Sequence, residues 1–376
     1  MAPSRSNRRD FLKGKAAAQA LVQAVENFAE AVAPDEPGNG QHNSLKAGSP
    51  SPTENDAHLL LHLTRRAMAC DFQVYLNAER DSAATEQAMA ALDLIEQLED
   101  QLTVYRDHSE VSRINQTAAR EPISVESRLF DLLQTAGQLF EATGGAYDIT
   151  SGPLSKAWGF YRRQGRIPTA DELSLARERT GGKFVQLDSQ RQTIRFTQPG
   201  LEINLGSIGK GYALDRAAEL LRSDGVTNFV LHGGNSSVIA NGHNASEQEH
   251  GGWLIGLRHP WQAEKRLGTF RLKDRCLGTS GSEAQFFLHD GKRYGHILDP
   301  RSGHPAEGVL TATVIAPSCA LADALATAFY VLGPSGAEFY CSRHPGISAI
   351  LVTPGPRSGA IEIHRYNVPA EELSLS

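Results

Sequence analysis

Between Ser82 and Gly182 the apolar residues of this chain recur at three- and four-residue steps, and beyond Gly182 they mostly alternate; that change of period decides the fold class. One helical stripe runs from about Ser82 to Leu102 through Ala84, Ala88, Ala91, Leu92, Ile95, Leu98 and Leu102. A second spans Ser127–Ala142, with Leu129, Leu132, Leu133, Ala136, Leu139 and Phe140 inward and Gly144-Gly145 as its stop. Asp107 with Glu110 reads as a capping box for a short helix through Asn115, and Thr169 with Glu172 as another for a helix to Gly181-Gly182. Strands are expected at Met68–Leu76, Thr193–Phe196, Glu202–Leu205, Phe229–His232, Trp253–Leu257 and Thr311–Ala316, with helices at Lys210–Arg222 and Ala320–Leu332 between them. Gln285–His289 and Lys292–Leu298 flank Asp290-Gly291, a hairpin signal. A mixed order containing a hairpin predicts an α+β fold over a regular parallel repeat.

Composition narrows the function. At 376 residues the chain can bury a large core without disulfide staples, and its net charge of −6 supplies no overall field for nucleic acid or anionic lipid. A small molecule or a protein is the expected partner. Cys70, Cys276, Cys319 and Cys341 form no CxxC pair and have no histidine at zinc spacing, so they read as buried thiols. No run reaches the ~18 apolar residues of a membrane span.

The N-terminal residues stand apart. Arg8-Arg9-Asp10-Phe11-Leu12-Lys13 is similar to a twin-arginine export signal, with Ala31-Val32-Ala33 as a cleavage-like site. Gln19, Gln23, Glu26, Asn27 and Glu30 interrupt the apolar region such a signal needs. Residues 1–33 therefore support two readings: a signal that sends the protein to the periplasm or membrane, or an amphipathic segment retained on a cytoplasmic one. Residues 34–57, rich in Pro and Gly, read as a disordered linker, and residues 58–370 as the folded domain.

Four segments can carry chemistry. Gly144–Leu154 takes a helix end into a turn presenting Asp148 and Thr150, which also fits plain turn chemistry. Asn204–Tyr212 reads as strand, glycine-spaced turn and helix start; amides at the helix N-terminus and Lys210 suit a phosphate, without the spacing of a Walker loop. Thr279-Ser280-Gly281 and, across the hairpin, His296–Gly303 crowd His296, Asp299 and Arg301, which suits a general base beside an anion, or a capped turn. Asp323 and Thr327 lie four apart on one face of a small, apolar helix, where hard oxygens suit Mg²⁺; Asp323 could alternatively cap that helix.

In their order along the chain these segments resemble the ApbE-type FAD:protein FMN transferases. The resemblance extends from about Thr64 to Pro354 and includes Met68-Ala69-Cys70, the Tyr-x-x-x-Ser-Glu-x-Ser-Arg-x-Asn run from Tyr105 to Asn115, Trp158-Gly159-Phe160, Gly233-Gly234-Asn235 and Val331-Leu332-Gly333. It implies mixed, largely antiparallel sheets with packed helices, a T-fold-like architecture. It also implies Mg²⁺-dependent transfer of FMN from FAD to a Thr or Ser hydroxyl of an acceptor flavoprotein, with release of AMP. On that resemblance Met68, Tyr105, Asp148, Asp215, Lys210, Thr279, Ser280, Gly281 and His296 contact FAD. Asp323, Thr327 and the backbone at Gly206 hold the metal, and His296 or Asp299 deprotonates the acceptor. Departures from the family pattern fall at Ala69, Cys70, Asn204, Asn235 and Gly295. Hydrolysis of FAD to FMN and AMP, or FAD binding without chemistry, are the alternatives.

Overall fold

The computed structural model describes residues 59–375 apart from 79–82, 245–250, 263, 282–284 and 358. The twin-arginine-like segment and the linker expected over 34–57 lie outside the described residues.

The centre is an eight-stranded antiparallel sheet. Its strands are β1 (Leu59–Ala67), β2 (Cys70–Ala78), β6 (Phe229–Gly233), β7 (Ser237–Asn241), β10 (Arg275–Gly281), β13 (Thr311–Ala316), β14 (Ser348–Pro354) and β15 (Ile361–Tyr366), lying side by side in that order. Between β2 and β6 the chain leaves this sheet to form α1 (Ala84–Leu102), α2 (Glu110–Thr117), β3 (Ile123–Ser124), α3 (Ser127–Ala142), α4 (Gly152–Ala157), α5 (Ala170–Glu178), β4 (Val185–Asp188), β5 (Thr193–Phe196) and α6 (Gly209–Ser223). The strands β3, β5 and β4 pair as a small sheet of their own. Later departures are β8 (Trp253–Arg258) with β9 (Arg266–Leu272), the hairpin β11 (Phe286–His289) and β12 (Lys292–Gly295), and the helix α7 (Cys319–Arg343). A last strand, β16 (Leu373–Leu375), pairs with β9 beyond residue 370. The α+β class and antiparallel sheets expected from the sequence are those observed.

Local chemistry accounts for these elements. Leu92, Ile95, Leu98 and Leu102 of α1 are buried on the expected stripe, each contributing roughly 2 kcal/mol by leaving water. That face packs on α6 and β1. In β2, Phe72, Val74 and Leu76 are all fully buried. The helix α7 lies across β10, β13 and β14 and against α6, and it breaks at Gly333, where φ is 71°. The reciprocal Thr169–Glu172 capping box of α5 is formed as read.

Other expectations are corrected. The cap of α2 is Ser109, whose hydroxyl accepts from Ser112 N at 3.0 Å, so Asp107 is not the cap. Glu110 instead accepts from Glu126 N and Gln101, tying α2 to α3 and α1. Glu202–Leu205 is no strand beyond a single bridge between Glu202 and Ser151, because Asn115 takes both backbone groups of Ile203. The helix expected to reach Gly181-Gly182 ends at Glu178, and the second hairpin strand stops at Gly295.

Met68 does not open β2. Met68 (φ 47°) and Ala69 (φ 61°) form the turn between β1 and β2 in left-handed backbone, with Arg66 donating to Ala69 O and pairing with Asp71. An L residue is strained there and glycine is not. Ala69→Gly is therefore expected to stabilise the protein by about 0.5–1 kcal/mol, the relief exceeding the added unfolded-chain entropy. A chemical-denaturation midpoint no higher than wild type would remove this account.

Candidate functional site

The site is built where two helices begin. Asn204 Oδ1 accepts from Gly206 N at 2.8 Å, and Leu205 O accepts from Ile208 N and Gly209 N, so the chain turns tightly into the first turn of α6. Lys210 stands in that turn and donates to Ser236 Oγ, in the loop before β7. The next residue, Gly211, packs directly on the N-terminal turn of α7: a Cβ there would lie 2.3 Å from Cys319 O. Gly278 of β10 does the same against Ala322 and Asp323, where a Cβ would come within 2.5 Å of backbone. Two glycines thus let α6, α7 and β10 close on one carboxylate.

That carboxylate is Asp323, 8% exposed. It accepts from Gly211 N at 2.8 Å and from Ser237 Oγ at 2.8 Å to either oxygen. Burial pushes its pKa up to about 7, against the opposing pull of Lys210, Ser237 and Gly211. The alternative reading of Asp323 as the helix cap is excluded, because Ser318 caps α7 by accepting from Leu321 N. Thr327, one turn on, donates to Asp323 O at 3.3 Å and meets Ser280 Oγ at 3.1 Å. Ser280 therefore faces α7. The adjacent Thr279 points to the opposite face of the sheet, where it meets Thr313 across the strand pair at 2.9 Å.

His296 follows β12. Its Nδ1 is 3.0 Å from Gln285 O, which can only accept, so Nδ1 carries a proton and Nε2 is left as the basic nitrogen of the neutral ring. The ring meets Phe160 edge-on at 6.5 Å between centroids. Burial lowers its pKa below the ordinary histidine value, and Lys210 adds to the lowering. Lys210 is thus the charge common to Asp323 and His296.

Several residues assigned by resemblance also make structural hydrogen bonds. Both oxygens of Asp215 accept backbone N–H groups of α7, from Cys319 at 2.8 Å and Ala320 at 2.9 Å. It is a clamp between α6 and α7 at the positive end of a helix, and burial pushes its pKa up to about 6. Asp148 accepts from Thr150 N, Thr150 Oγ1 and Gly182 N, so its side chain joins the 144–150 turn to the 181–182 turn. Asp299 is engaged at both oxygens by the Arg301 guanidinium, at 2.9 and 3.0 Å. Gly206 lies exposed on the turn before α6. Gly281 ends β10 beside Leu310. Tyr105 is 66% exposed, its ring 4.8 Å from that of Tyr161. Met68 is half-buried against the core.

Ser236, Ser237, Tyr147 and Gln285 were not singled out by sequence. The two serines directly follow Gly234-Asn235, a position visible only once β7 is aligned with β10 so that Ser237 sits opposite Gly278. The Tyr147 hydroxyl is fully buried beside Ser207 without a well-formed hydrogen bond.

Comparison with known proteins gives a consistent picture. The sequence profile of the ApbE family matches residues 68–351. A Vibrio cholerae protein named FAD:protein FMN transferase is 31% identical over 294 residues, covering 77% of this chain and 85% of that one. A Klebsiella pneumoniae protein of the same name is 34% identical over 275 residues, covering 71% and 83%. Among solved structures, the ApbE protein of Thermotoga maritima superposes with a TM-score of 0.71 at 30% identity, covering 81% of this chain and 97% of its own. The flavin transferase ApbE from Vibrio cholerae gives 0.72 at 27% identity, covering 82% and 97%.

Proposed function

The chain belongs to the ApbE family, and from that premise we infer that it is an FAD:protein FMN transferase acting on an acceptor flavoprotein. The transferred group moves to a Thr or Ser hydroxyl: the hydroxyl oxygen bonds to the phosphorus of the FMN half, the pyrophosphate P–O bond breaks, and AMP leaves with the bridging oxygen. The observation that carries this reading is the hydrogen-bonded line from Lys210 through Ser236 and Ser237 to buried Asp323, with the Lys210 charge also bearing on His296, whose Nε2 is proton-free.

His296 Nε2 takes the proton of the acceptor hydroxyl as the new bond forms. Lys210 neutralises phosphate charge in place of water. Asp215 and the Asp323–Gly211 hydrogen bond hold the two helix starts together, so these groups are positioned before substrate arrives.

The residues fit Mg²⁺. Asp323 and Thr327, with the Gly206 carbonyl, would hold it; all are hard oxygen donors, and a carboxylate pushed up to about 7 by burial gains from a cation. Among the described residues no group of three or more His, Cys, Asp or Glu could bind a metal. A single carboxylate suits a cation that retains waters and substrate phosphates as ligands. When bound, Mg²⁺ supplies charge neutralisation at the pyrophosphate.

Incubation with FAD, Mg²⁺ and an acceptor domain should give protein-bound flavin and AMP in equal amounts; free FMN without labelling would favour hydrolysis and overturn the transferase reading. His296→Ala should lower kcat about a hundredfold or more with FAD binding retained. Because the histidine pKa is lowered, the acid limb of the wild-type kcat profile is expected below pH 6.5, the ordinary value. An acid limb at or above that pH would count against His296 as the base.

A further inference from the structure

Gln285 precedes β11 and makes contacts through both its backbone carbonyl and its side chain. Its backbone carbonyl receives His296 Nδ1 at 3.0 Å and His296 N at 3.2 Å. Its side-chain amide donates from Nε2 to Phe160 O at 2.9 Å, an acceptor that fixes which end of the amide faces it. Phe160 is itself 5% exposed, packed with Trp158, Leu154 and Leu298, and its ring lies against His296. The hairpin that Gln285 opens is hydrogen-bonded to no other strand among the described residues, so this amide is a direct tie between its root and the helical region around α4.

We propose that Gln285 is a positioning residue for the base: its carbonyl holds His296 as the Nδ1–H tautomer with Nε2 free, and its side-chain amide pins that carbonyl to Phe160. The proposal rests on the transferase reading only for what Nε2 does next. An imidazole in water prefers no such orientation, and a base must present its lone pair along one line to accept a proton from a bound hydroxyl. Lys210, from α6, is the charged neighbour bearing on the ring; Phe160, from the turn after α4, and Gln285 are neutral. Loosening the root would let water reach the ring and let it rotate.

The discriminating variants are Gln285→Met, which keeps the size and removes the donor, and Gln285→Glu, which at neutral pH presents an acceptor to the Phe160 carbonyl. Both are expected to lose about tenfold in kcat, with KM for FAD within about twofold and a melting temperature lowered by no more than a few degrees, the cost of one lost hydrogen bond. The acid limb of the kcat–pH profile should move up in both, because burial is the larger influence on the ring and its relief outweighs the weakened bond to the Gln285 carbonyl, which acts the other way. Imidazole ¹⁵N spectra of the unliganded full chain should show the Nδ1–H tautomer in the wild type and a mixture in Gln285→Met. A space-filling role would leave Gln285→Met like wild type in kcat, pH profile and spectrum, and that result overturns the proposal. So does a loss of melting temperature and FAD affinity in proportion to kcat. A wild-type chain that releases no AMP would sink the transferase reading instead, while the spectra, which need no turnover, still decide the tautomer.

Discussion

Asp323→Asn is expected to lower AMP release from FAD by about a thousandfold while the fold survives. The amide keeps an oxygen for Gly211 N–H and can donate to Ser237 Oγ, so both hydrogen bonds can be replaced. What is lost is the negative charge. In the native protein that charge is held against burial, which raises the carboxyl to about 7 from an ordinary value of 3.8. Folding therefore favours the protonated form: the group's contribution to stability is complete below about pH 4 and is lost as pH rises through about 7. Mg²⁺ requires the ionised form, so it should raise the melting temperature more at pH 8 than at pH 5, and Asp323→Asn should abolish that response. Wild-type turnover in the variant, or an undiminished Mg²⁺-dependent rise in its melting temperature, would exclude Asp323 as the metal ligand.

Gly211→Ala is expected to destabilise the protein by at least about 3 kcal/mol. The new methyl would sit 2.3 Å from Cys319 O, 2.4 Å from Cys319 C and 2.7 Å from Ala320 N, all backbone atoms that no rotamer change can move. Relief requires separating α6 from α7, which breaks the hydrogen bonds that Asp323 and Asp215 make between them. Gly137→Ala in α3 is the matched control: a Cβ there meets nothing within 4 Å, so helix propensity alone should make it neutral to stabilising by up to about 1 kcal/mol. Similar melting temperatures for the two variants would show that the α6–α7 contact is not the constraint described.

The sequence revealed elements best where one face is wet. The stripes of α1 and α3 and the Thr169 capping box were legible because periodicity and caps are local. β14 was not, because Ser348–Val352 is buried on both faces and has no alternation to read. β10 was seen as the motif Thr279-Ser280-Gly281 and not as a strand, since Gly278 is there for α7 to approach and carries no strand signal. At the site, Lys210, Asp323 and Thr327 could be named from spacing on their helices. The hydrogen-bond partners of Asp215 and Asp299 could not: α7 amides engage one and the Arg301 side chain the other. Ser237 and Gln285 act through partners far away in sequence, which spacing does not disclose.

The strand order also governs how the chain reaches this structure. β2 and β6 are neighbours in the sheet although residues 79–228 separate them, and Lys210 lies inside that excursion while Ser237 and Asp323 lie beyond it. Closing so long a loop costs entropy that only the completed pairing returns, and such non-local contacts form slowly. The carboxylate, its serine and the lysine are themselves joined by contacts between residues far apart in the chain. A nascent chain that stops short of α7 lacks Asp323 altogether, so no partially synthesised form of this protein holds the completed site.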